Sequence, residues 1–235
     1  MKLSNKPTIS IIIPVLNEER YIVKLIDYIM KNVSSSNIKE ILVVDGGSTD
    51  GTIKAAMKFD AVVLQSEKGR AKQMNYGAKH ALGEILYFLH VDTFPPKNFD
   101  KIIINAIQKG DETGCFRMKF DSNSRFLRFF SWFSRINHNI CRGGDQSLFI
   151  TKALFHNSGG YDESYIIYED NEFTSRLYEL TNFKILPDNV QTSARKYEQI
   201  GKLKLQFHFG IIHLKNYFGA DPEQLYHYYK RKIST

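Results

Sequence analysis

Two short segments contain the side-chain types that metal binding and acid–base chemistry require. His90-Val91-Asp92 follows an apolar run and places an imidazole and a carboxylate two positions apart. Alternate residues at the end of a strand face the same side, so this spacing predicts that His90 and Asp92 reach one metal ion. Residues 168–172 are rich in acids, and one of these carboxylates can take a proton from an attacking hydroxyl. The alternative is that these acids only complement the dipole of a helix that begins there.

A divalent ion at the first segment would be suited to a nucleotide ligand. Such an ion bridges two phosphates and neutralises charge as a diphosphate leaves. With one carboxylate and one imidazole as ligands, Mn²⁺ is expected rather than Mg²⁺.

Two loops that follow apolar runs have the residues for binding a nucleoside. Asn17 and Glu18 offer a carboxylate to ribose hydroxyls, although Asn17 is also a suitable helix N-cap. Asp45 precedes Gly46 and Gly47, which let the backbone approach a flat ligand, and its carboxylate can accept a hydrogen bond from a base. The structural alternative for Asp45 is that it caps the turn that follows it.

A basic turn stands immediately before a predicted helix. Lys68 and Arg70, separated by one glycine, are placed to hold a diphosphate at the positive end of that helix, or are simply solvated. Gln73 and Asn75 on the same helix are further polar candidates. The chain contains neither a Gly-x-Gly-x-x-Gly nor a Gly-Lys-Ser/Thr motif, which disfavours dinucleotide-binding and P-loop proteins.

The elements that must position these residues alternate between strand and helix patterns. Strands are predicted at 8–14, 41–44, 61–65, 84–90 and 115–120, and helices at 19–33, 53–58, 70–82 and 170–180. Repeated crossovers predict an α/β fold with a doubly wound, mostly parallel sheet flanked by helices, followed by a helical C-terminal extension. Ligands of such sheets bind beyond the carboxyl ends of the strands, where the polar loops of the first half fall.

Composition excludes several classes of protein. The 235 residues are 43% hydrophobic, with a net charge of +7, which describes a folded domain rather than a disordered chain. Cys115 and Cys141 lack the paired spacing of zinc or redox motifs, and no apolar run reaches the ~18 residues of a membrane span, so a cytoplasmic protein is expected. Dispersed basic residues without a known motif disfavour nucleic-acid binding.

No linker is evident, so a single domain over 1–235 is expected. Its nucleotide-binding half covers about 8–120, its acceptor and catalytic half 121–190, and its helical tail 191–235.

Four motifs together resemble family-two glycosyltransferases of the GT-A fold, over about residues 8–180. The motifs are Pro14-Val15-Leu16-Asn17-Glu18, Asp45-Gly46-Gly47-Ser48-Thr49-Asp50-Gly51-Thr52, His90-Val91-Asp92 and Glu169-Asp170-Asn171-Glu172-Phe173. They occur in the family's order. Residues 192–198 and 218–223 further resemble a bacterial subgroup named for its association with radical-SAM and selenodomain proteins.

The resemblance implies an inverting hexosyltransferase that uses a nucleotide-sugar donor, expected to be a UDP-sugar, and a divalent metal. The family usually has Asp-x-Asp where this chain has His90, which leaves strict metal dependence open. Asp92 with His90 would bind the metal, and Asp170 would be the general base with Glu169 supporting it. The implied donor-binding residues are Pro14, Asn17, Glu18, Asp45, Gly47, Lys68, Arg70, Val91 and Arg195, and the implied acceptor-pocket residues are Gly144, Asp145 and Gln146.

Two segments suggest what the acceptor is. Residues 125–135 combine aromatics with arginines at helical spacing, and residues 203–217 mix lysines with apolar residues. Both compositions suit a membrane interface, so we expect peripheral contact with the inner face of the membrane and a glycan or lipid-linked acceptor. The alternative is that these residues pack internally or form a homodimer contact. The alternative function is a catalytically silent protein that binds a nucleotide-sugar.

Overall fold

A computed structural model describes residues 7–34 and 37–233, so the outer bounds of the predicted domain lie outside the described residues. The strands of this part are β1 (Ile9–Val15), β2 (Ile38–Asp45), β3 (Val62–Gln65), β4 (Ile85–Phe88), β5 (Thr93–Phe94), β6 (Thr113–Phe120), β7 (Leu148–Thr151) and β8 (Lys184–Thr192). The α-helices are α1 (Glu19–Asn32), α2 (Thr52–Ala56), α3 (Arg70–His80), α4 (Phe99–Gln108), α5 (Arg125–Trp132), α6 (Lys152–Asn157), α7 (Glu169–Leu180), α8 (Arg195–Ile200), α9 (Lys202–Tyr217) and α10 (Pro222–Lys232).

The strands of the described ranges form one eight-stranded sheet in the order β3-β2-β1-β4-β7-β6-β8-β5. The first four are parallel to one another, as are β6 and β8, while β7 and β5 run antiparallel to their neighbours. The predicted α/β class, with a mostly parallel sheet and a helical C-terminal region, is confirmed.

A crevice opens between β1 and β4, where the chain order changes direction along the sheet. β1 pairs with β2 as far as Val15 and Asp45, but its pairing with β4 ends at Ile12 and Phe88. Pro14, which has no N–H to donate, lies just beyond that last pair. Parallel α/β sheets bind their ligands at such a point.

The predicted strand at 84–90 is too long. β4 ends at Phe88, where its antiparallel partner β7 begins with Leu148. The chain then turns, with the amide of Thr93 donating to the carbonyl oxygen of His90 at 3.0 Å. His90 and Asp92 therefore lie on a turn, and the prediction that they are alternate residues of one strand is wrong.

The sequence patterns do not reveal β7, β8 or α4. The pairing of β6 with β8 shifts register between Phe116 and Arg117 and skips Pro187 and Asp188. These two residues are typical of turns and interrupt the strand pattern of β8.

The core forms two layers around the sheet and a third cluster beside it. Ile11 and Ile13 of β1 pack in one layer and Ile12 in the other, as expected for a strand buried on both faces. The third cluster joins α5, α8, α9 and α10, for example through Leu127 and Leu205. Across the described ranges, no helix is both long and apolar enough to cross a membrane.

Candidate active site

Asp170, in the first turn of α7, lies beside His90 at the carboxyl edge of the sheet. Its Oδ2 is 3.4 Å from Nε2 of His90. Burial alone would raise the pKa of Asp170, but the charge and hydrogen bond of His90, together with Arg70, more than offset burial and lower it. The carboxylate is therefore ionised at neutral pH, as a general base must be.

The same pair acts in the opposite direction on the imidazole. Burial favours neutral His90, but Asp170 stabilises the protonated ring, and the net effect raises the pKa of His90. Gly144 makes room for the pair: a Cβ at this glycine would overlap both Oδ2 of Asp170 and the His90 ring. The predicted acceptor residue Gly144 thus lies directly against Asp170.

Glu169, next to Asp170, forms an ion pair with Arg70 at the start of α3. Nε of Arg70 is 2.7 Å from Oε1 of Glu169, whose side chain is 1% exposed. Burial is the main cause that raises the pKa of Glu169, and Asp170 adds to it, while Arg70 opposes it. Lys68, the other predicted diphosphate ligand, is exposed on the loop before α3.

Arg195, at the start of α8, joins the predicted nucleoside and metal residues. Its Nη1 and Nη2 donate to the Glu18 carboxylate at 3.0 and 2.7 Å, and its Nε is 3.2 Å from Oδ2 of Asp92. The guanidinium carbon lies 4.4 Å from the centre of the Tyr21 ring. The side chain therefore bridges the loop after β1 and the turn after β4.

Asp45 has both a structural role and a free acceptor. Its Oδ2 accepts from the amides of Gly47 and Ser48, each at 2.9 Å, so the turn-capping interpretation is correct for this oxygen. Oδ1 is buried and has no hydrogen-bond partner among the described residues. A buried oxygen without a partner is costly, which suits an atom that binds a ligand.

Several polar candidates have structural partners. Oδ1 of Asn17 accepts from the amide of Thr49 at 2.8 Å and ties the loops after β1 and β2 together. Gln73 donates to strand-end carbonyls of β1 and β2 at 2.8 and 2.7 Å. Asn75 donates to the carbonyl of Tyr161 at 2.8 Å. Gln73 and Asn75 thus support the crevice rather than face a ligand.

Three other predicted residues have buried side chains. Pro14 is buried within β1, and Val91 packs in the core layer that includes α1 and α4. Only the backbone of Val91 is available to contact the predicted nucleotide-sugar donor. Gln146 is 3% exposed and its Oε1 accepts a hydrogen bond from Arg142 at 2.6 Å, so it supports the predicted acceptor residues Gly144 and Asp145 from inside the protein.

Arg142 is a structural residue that the sequence patterns do not single out. It is 5% exposed and donates to Gln146, to the carbonyl of Ser134 at 3.0 Å and to Sγ of Cys115 at 3.2 Å. Its own carbonyl accepts from Asn171, the residue after the base, at 2.7 Å. Arg142 therefore holds the segment containing Gly144 against α7.

The described part of the cleft contains more acids than bases. Its carboxylates belong to Glu18, Asp92, Asp145, Glu169 and Asp170, and they face Arg70, Arg195 and His90. Asp145 is exposed to solvent. Loss of solvation is the main cause that raises its pKa, and the positive charges of His90 and Arg70 partly oppose this rise. This excess of negative charge, in a chain of net charge +7, favours a divalent cation over a free diphosphate.

Asp92 and His90 fit a metal ion that is held partly by protein side chains and partly by the phosphate oxygens of a nucleotide. The described residues contain no group of three or more His, Cys, Asp or Glu side chains able to hold an ion. Asp92 already faces a cation, the Arg195 guanidinium. One or two protein ligands completed by phosphate oxygens is a common arrangement for Mg²⁺ with nucleotides.

Known proteins match this chain in sequence. The model of the family described as glycosyl transferase family 2 matches residues 10–162. Glycosyltransferase AglE of Haloferax volcanii is 33% identical over 99 residues, which are 39% of this chain and 33% of AglE. The chain spans about a third of the length of the first curated relatives it matches.

Solved glycosyltransferase structures share the fold. S. aureus TarS 1–349 in complex with UDP has a TM-score of 0.67 at 23% identity, covering 79% of this chain and 60% of TarS. The mannosyltransferase PcManGT from Pyrobaculum calidifontis, in complex with GDP-Man and Mn²⁺, has a TM-score of 0.60 at 21% identity, covering 80% and 57%. The likeness confirms the predicted GT-A fold.

Proposed function

Because the chain belongs to glycosyl transferase family 2, we propose that it moves a hexose from a nucleotide-diphosphate donor to an acceptor hydroxyl. The observation that carries the proposal is one connected charged cluster at the carboxyl edge of the sheet. It contains an ionised carboxylate suited to be the base, Asp170, a carboxylate suited to a metal, Asp92, and two arginines suited to phosphates.

The donor lies in the crevice between β1 and β4. Oδ1 of Asp45 accepts from the ring N–H of the nucleobase, which uracil, thymine and guanine have beside a carbonyl and cytosine lacks. Glu18 binds the ribose hydroxyls when Arg195 releases it, and Arg70 with Lys68 binds the diphosphate. We propose UDP as the nucleotide; the TarS complex with UDP and the PcManGT complex with GDP-Man support a nucleotide-sugar donor.

Asp92 is the proposed metal carboxylate, with His90 as the second candidate ligand. A bound divalent ion, proposed to be Mn²⁺, neutralises charge on the leaving diphosphate. The PcManGT complex contains Mn²⁺, which supports this choice. The contact between His90 and Asp170 favours a further role for His90, which is to hold the base in position.

Asp170 acts as the base of a single displacement. It takes the proton of the acceptor hydroxyl while that oxygen forms a bond to the anomeric carbon, on the face opposite the diphosphate. The bond between the anomeric carbon and the phosphate oxygen breaks, and its electron pair leaves with the nucleoside diphosphate. Arg70, held by Glu169, stabilises the negative charge that develops there. The product has inverted anomeric configuration.

The test measures release of the nucleoside diphosphate and the configuration of the product. UDP-, GDP-, dTDP- and CDP-hexoses are incubated with glycan and lipid-linked acceptors, and the product is examined by NMR. Asp170→Asn should lower kcat by about 10²–10⁴-fold and leave donor binding intact. Glu179→Gln, exposed on the same helix, is the matched control and should behave as wild type.

Three results would contradict parts of this proposal. Full activity in Asp170→Asn would exclude Asp170 as the base, and a retained configuration would exclude single displacement. Donor binding without turnover would instead support a catalytically silent protein that binds a nucleotide-sugar. The presence of His90 where the family usually has Asp favours this alternative.

We also propose that the chain acts as one domain on the cytoplasmic side. Its acceptor is a glycan or is lipid-linked, at the inner face of the membrane, with which the protein makes peripheral contact. A homodimer and membership of the radical-SAM-associated bacterial subgroup stay predictions.

A further inference from the structure

Helix α9 has apolar residues on two faces, whereas a surface helix ordinarily has one such face. Leu205 and Ile212 are buried in the third core cluster. Other apolar residues, at spacings of four, seven and three positions and at the C-cap, lie on the solvent side and form a stripe along a helix that is about 24 Å long. This α9 stripe consists of Leu203 (74% exposed), Phe207 (64%), Leu214 (51%), Tyr217 (82%) and Phe218 (77%).

The charged residues of α9 itself are all of one sign. No Asp or Glu occurs between Glu198 and Asp221, whereas the whole chain has 25. Lys204 and Lys215 are exposed beside the stripe. A second copy of this chain would bring lysines against lysines. An anionic lipid surface complements both the charge and the apolar side chains.

We propose that the α9 stripe docks the protein on an anionic lipid bilayer. The helix lies in the plane of the interface, with the aromatic and leucine side chains below the headgroups and the lysines at the lipid phosphates. Leu214 and Phe218 also line a surface cavity of about 270 Å³ that α9 shares with α10, beside Lys215. This cavity gives one acyl chain a place against the protein.

The docking helix contacts the residues that precede the proposed base. Nδ1 of His213, on the buried side of α9, is 2.8 Å from the hydroxyl of Tyr168. Tyr168, at a φ of 72°, immediately precedes Glu169 and Asp170. Docking of α9 therefore brings residues 168–170, which we call the base loop, close to the lipid surface, where a lipid-linked acceptor is found. This last step rests on the proposed sugar transfer, but docking itself does not.

Flotation with vesicles tests the docking directly. Full-length protein is mixed with phosphatidylcholine vesicles with and without phosphatidylglycerol. The stripe variant is Phe207→Gln/Leu214→Gln/Phe218→Gln, and the matched control is Met57→Gln/Leu82→Gln, at residues 64% and 68% exposed elsewhere on the surface. Wild type and control should float with the anionic vesicles, and the bound fraction of the stripe variant should fall about tenfold.

A fluorescent reporter makes the test independent of binding yield. The chain has a single tryptophan, Trp132, so Phe207→Trp in a Trp132→Phe background reports only on the stripe. Its emission should shift to the blue on anionic vesicles and be quenched by brominated lipid. The melting temperature of each variant shows that it is folded.

Equal flotation of wild type and stripe variant, or flotation of neither, would overturn the proposal. So would a dimer in gel filtration that the stripe variant loses, because the stripe would then be an interface between copies. Vesicle binding without sugar transfer would leave the docking proposal standing and contradict the proposed function alone, so the two failures are distinguishable.

Discussion

At the scale of single residues, the contact between Asp170 and His90 depends on the absence of a side chain at Gly144. The backbone there does not require glycine, because its φ is outside the left-handed region. Only the space is restricted, by Asp170 and the imidazole. The neighbouring Gly143 has extended backbone, with a φ of −174°, and a methyl group added to it would enter open space.

We therefore expect Gly144→Ala and Gly143→Ala to differ in activity. The methyl group at 144 forces Asp170, the proposed base, away from His90, so kcat should fall at least tenfold, because a 1 Å displacement of a catalytic group is enough for such losses. Gly143→Ala should keep the activity of wild type. Steady-state kinetics with the donor that the wild type accepts measures both. Equal activity in the two variants would show that the Asp170–His90 contact does not matter.

At the scale of elements, the segment between α5 and β7 is held in place by one buried arginine. The donors of Arg142 go to acceptors that lie away from water, among them Oε1 of Gln146 and the carbonyl of Ser134. Removing the donors leaves these acceptors buried and unpaired, which typically costs 1–3 kcal/mol for each group.

Arg142→Met should lower the free energy of unfolding by about 3 kcal/mol, which is roughly 6–12 °C in melting temperature for a chain of this size. Arg128→Met removes an exposed arginine of α5 and should change stability by no more than about 0.5 kcal/mol. Thermal denaturation of both variants checks the difference. Similar melting temperatures would mean that the segment does not depend on Arg142.

The contact between α9 and the base loop predicts a dependence of stability on pH. Burial lowers the pKa of His213, so the unfolded state takes up a proton before the folded state does. The free energy of unfolding contributed by this residue is present above about pH 6.5 and is lost as the pH falls from there through the folded-state pKa. His213→Asn removes this titration. The melting temperature of the variant should therefore fall less between pH 8 and pH 5 than that of the wild type. Parallel pH profiles would contradict this.

At the scale of the whole molecule, the sequence predicts the first half of the sheet well. Strands β1 and β2 are continuous β-branched runs. β1 is followed by a helix with regular apolar spacing and β2 by a turn that initiates a helix, so local pattern and tertiary structure agree. β8 is hidden because Pro187 lies within its register shift. Sequence patterns also cannot show that His90 lies beside Asp170, or that Arg195 bridges Glu18 and Asp92, because these residues are far apart in sequence and only the folded chain brings them together.

The most direct test of a metal-assisted nucleotide-sugar site is thermal denaturation with UDP, GDP, dTDP and CDP, each with and without Mn²⁺. A nucleotide at about 100 times its dissociation constant adds ~2.7 kcal/mol, which raises the melting temperature of a chain this size by roughly 2–4 °C per kcal/mol. We predict a shift with UDP that needs Mn²⁺, is absent with CDP, and is lost in Asp92→Ala. No shift with any nucleotide, or an undiminished shift in Asp92→Ala, would contradict this site.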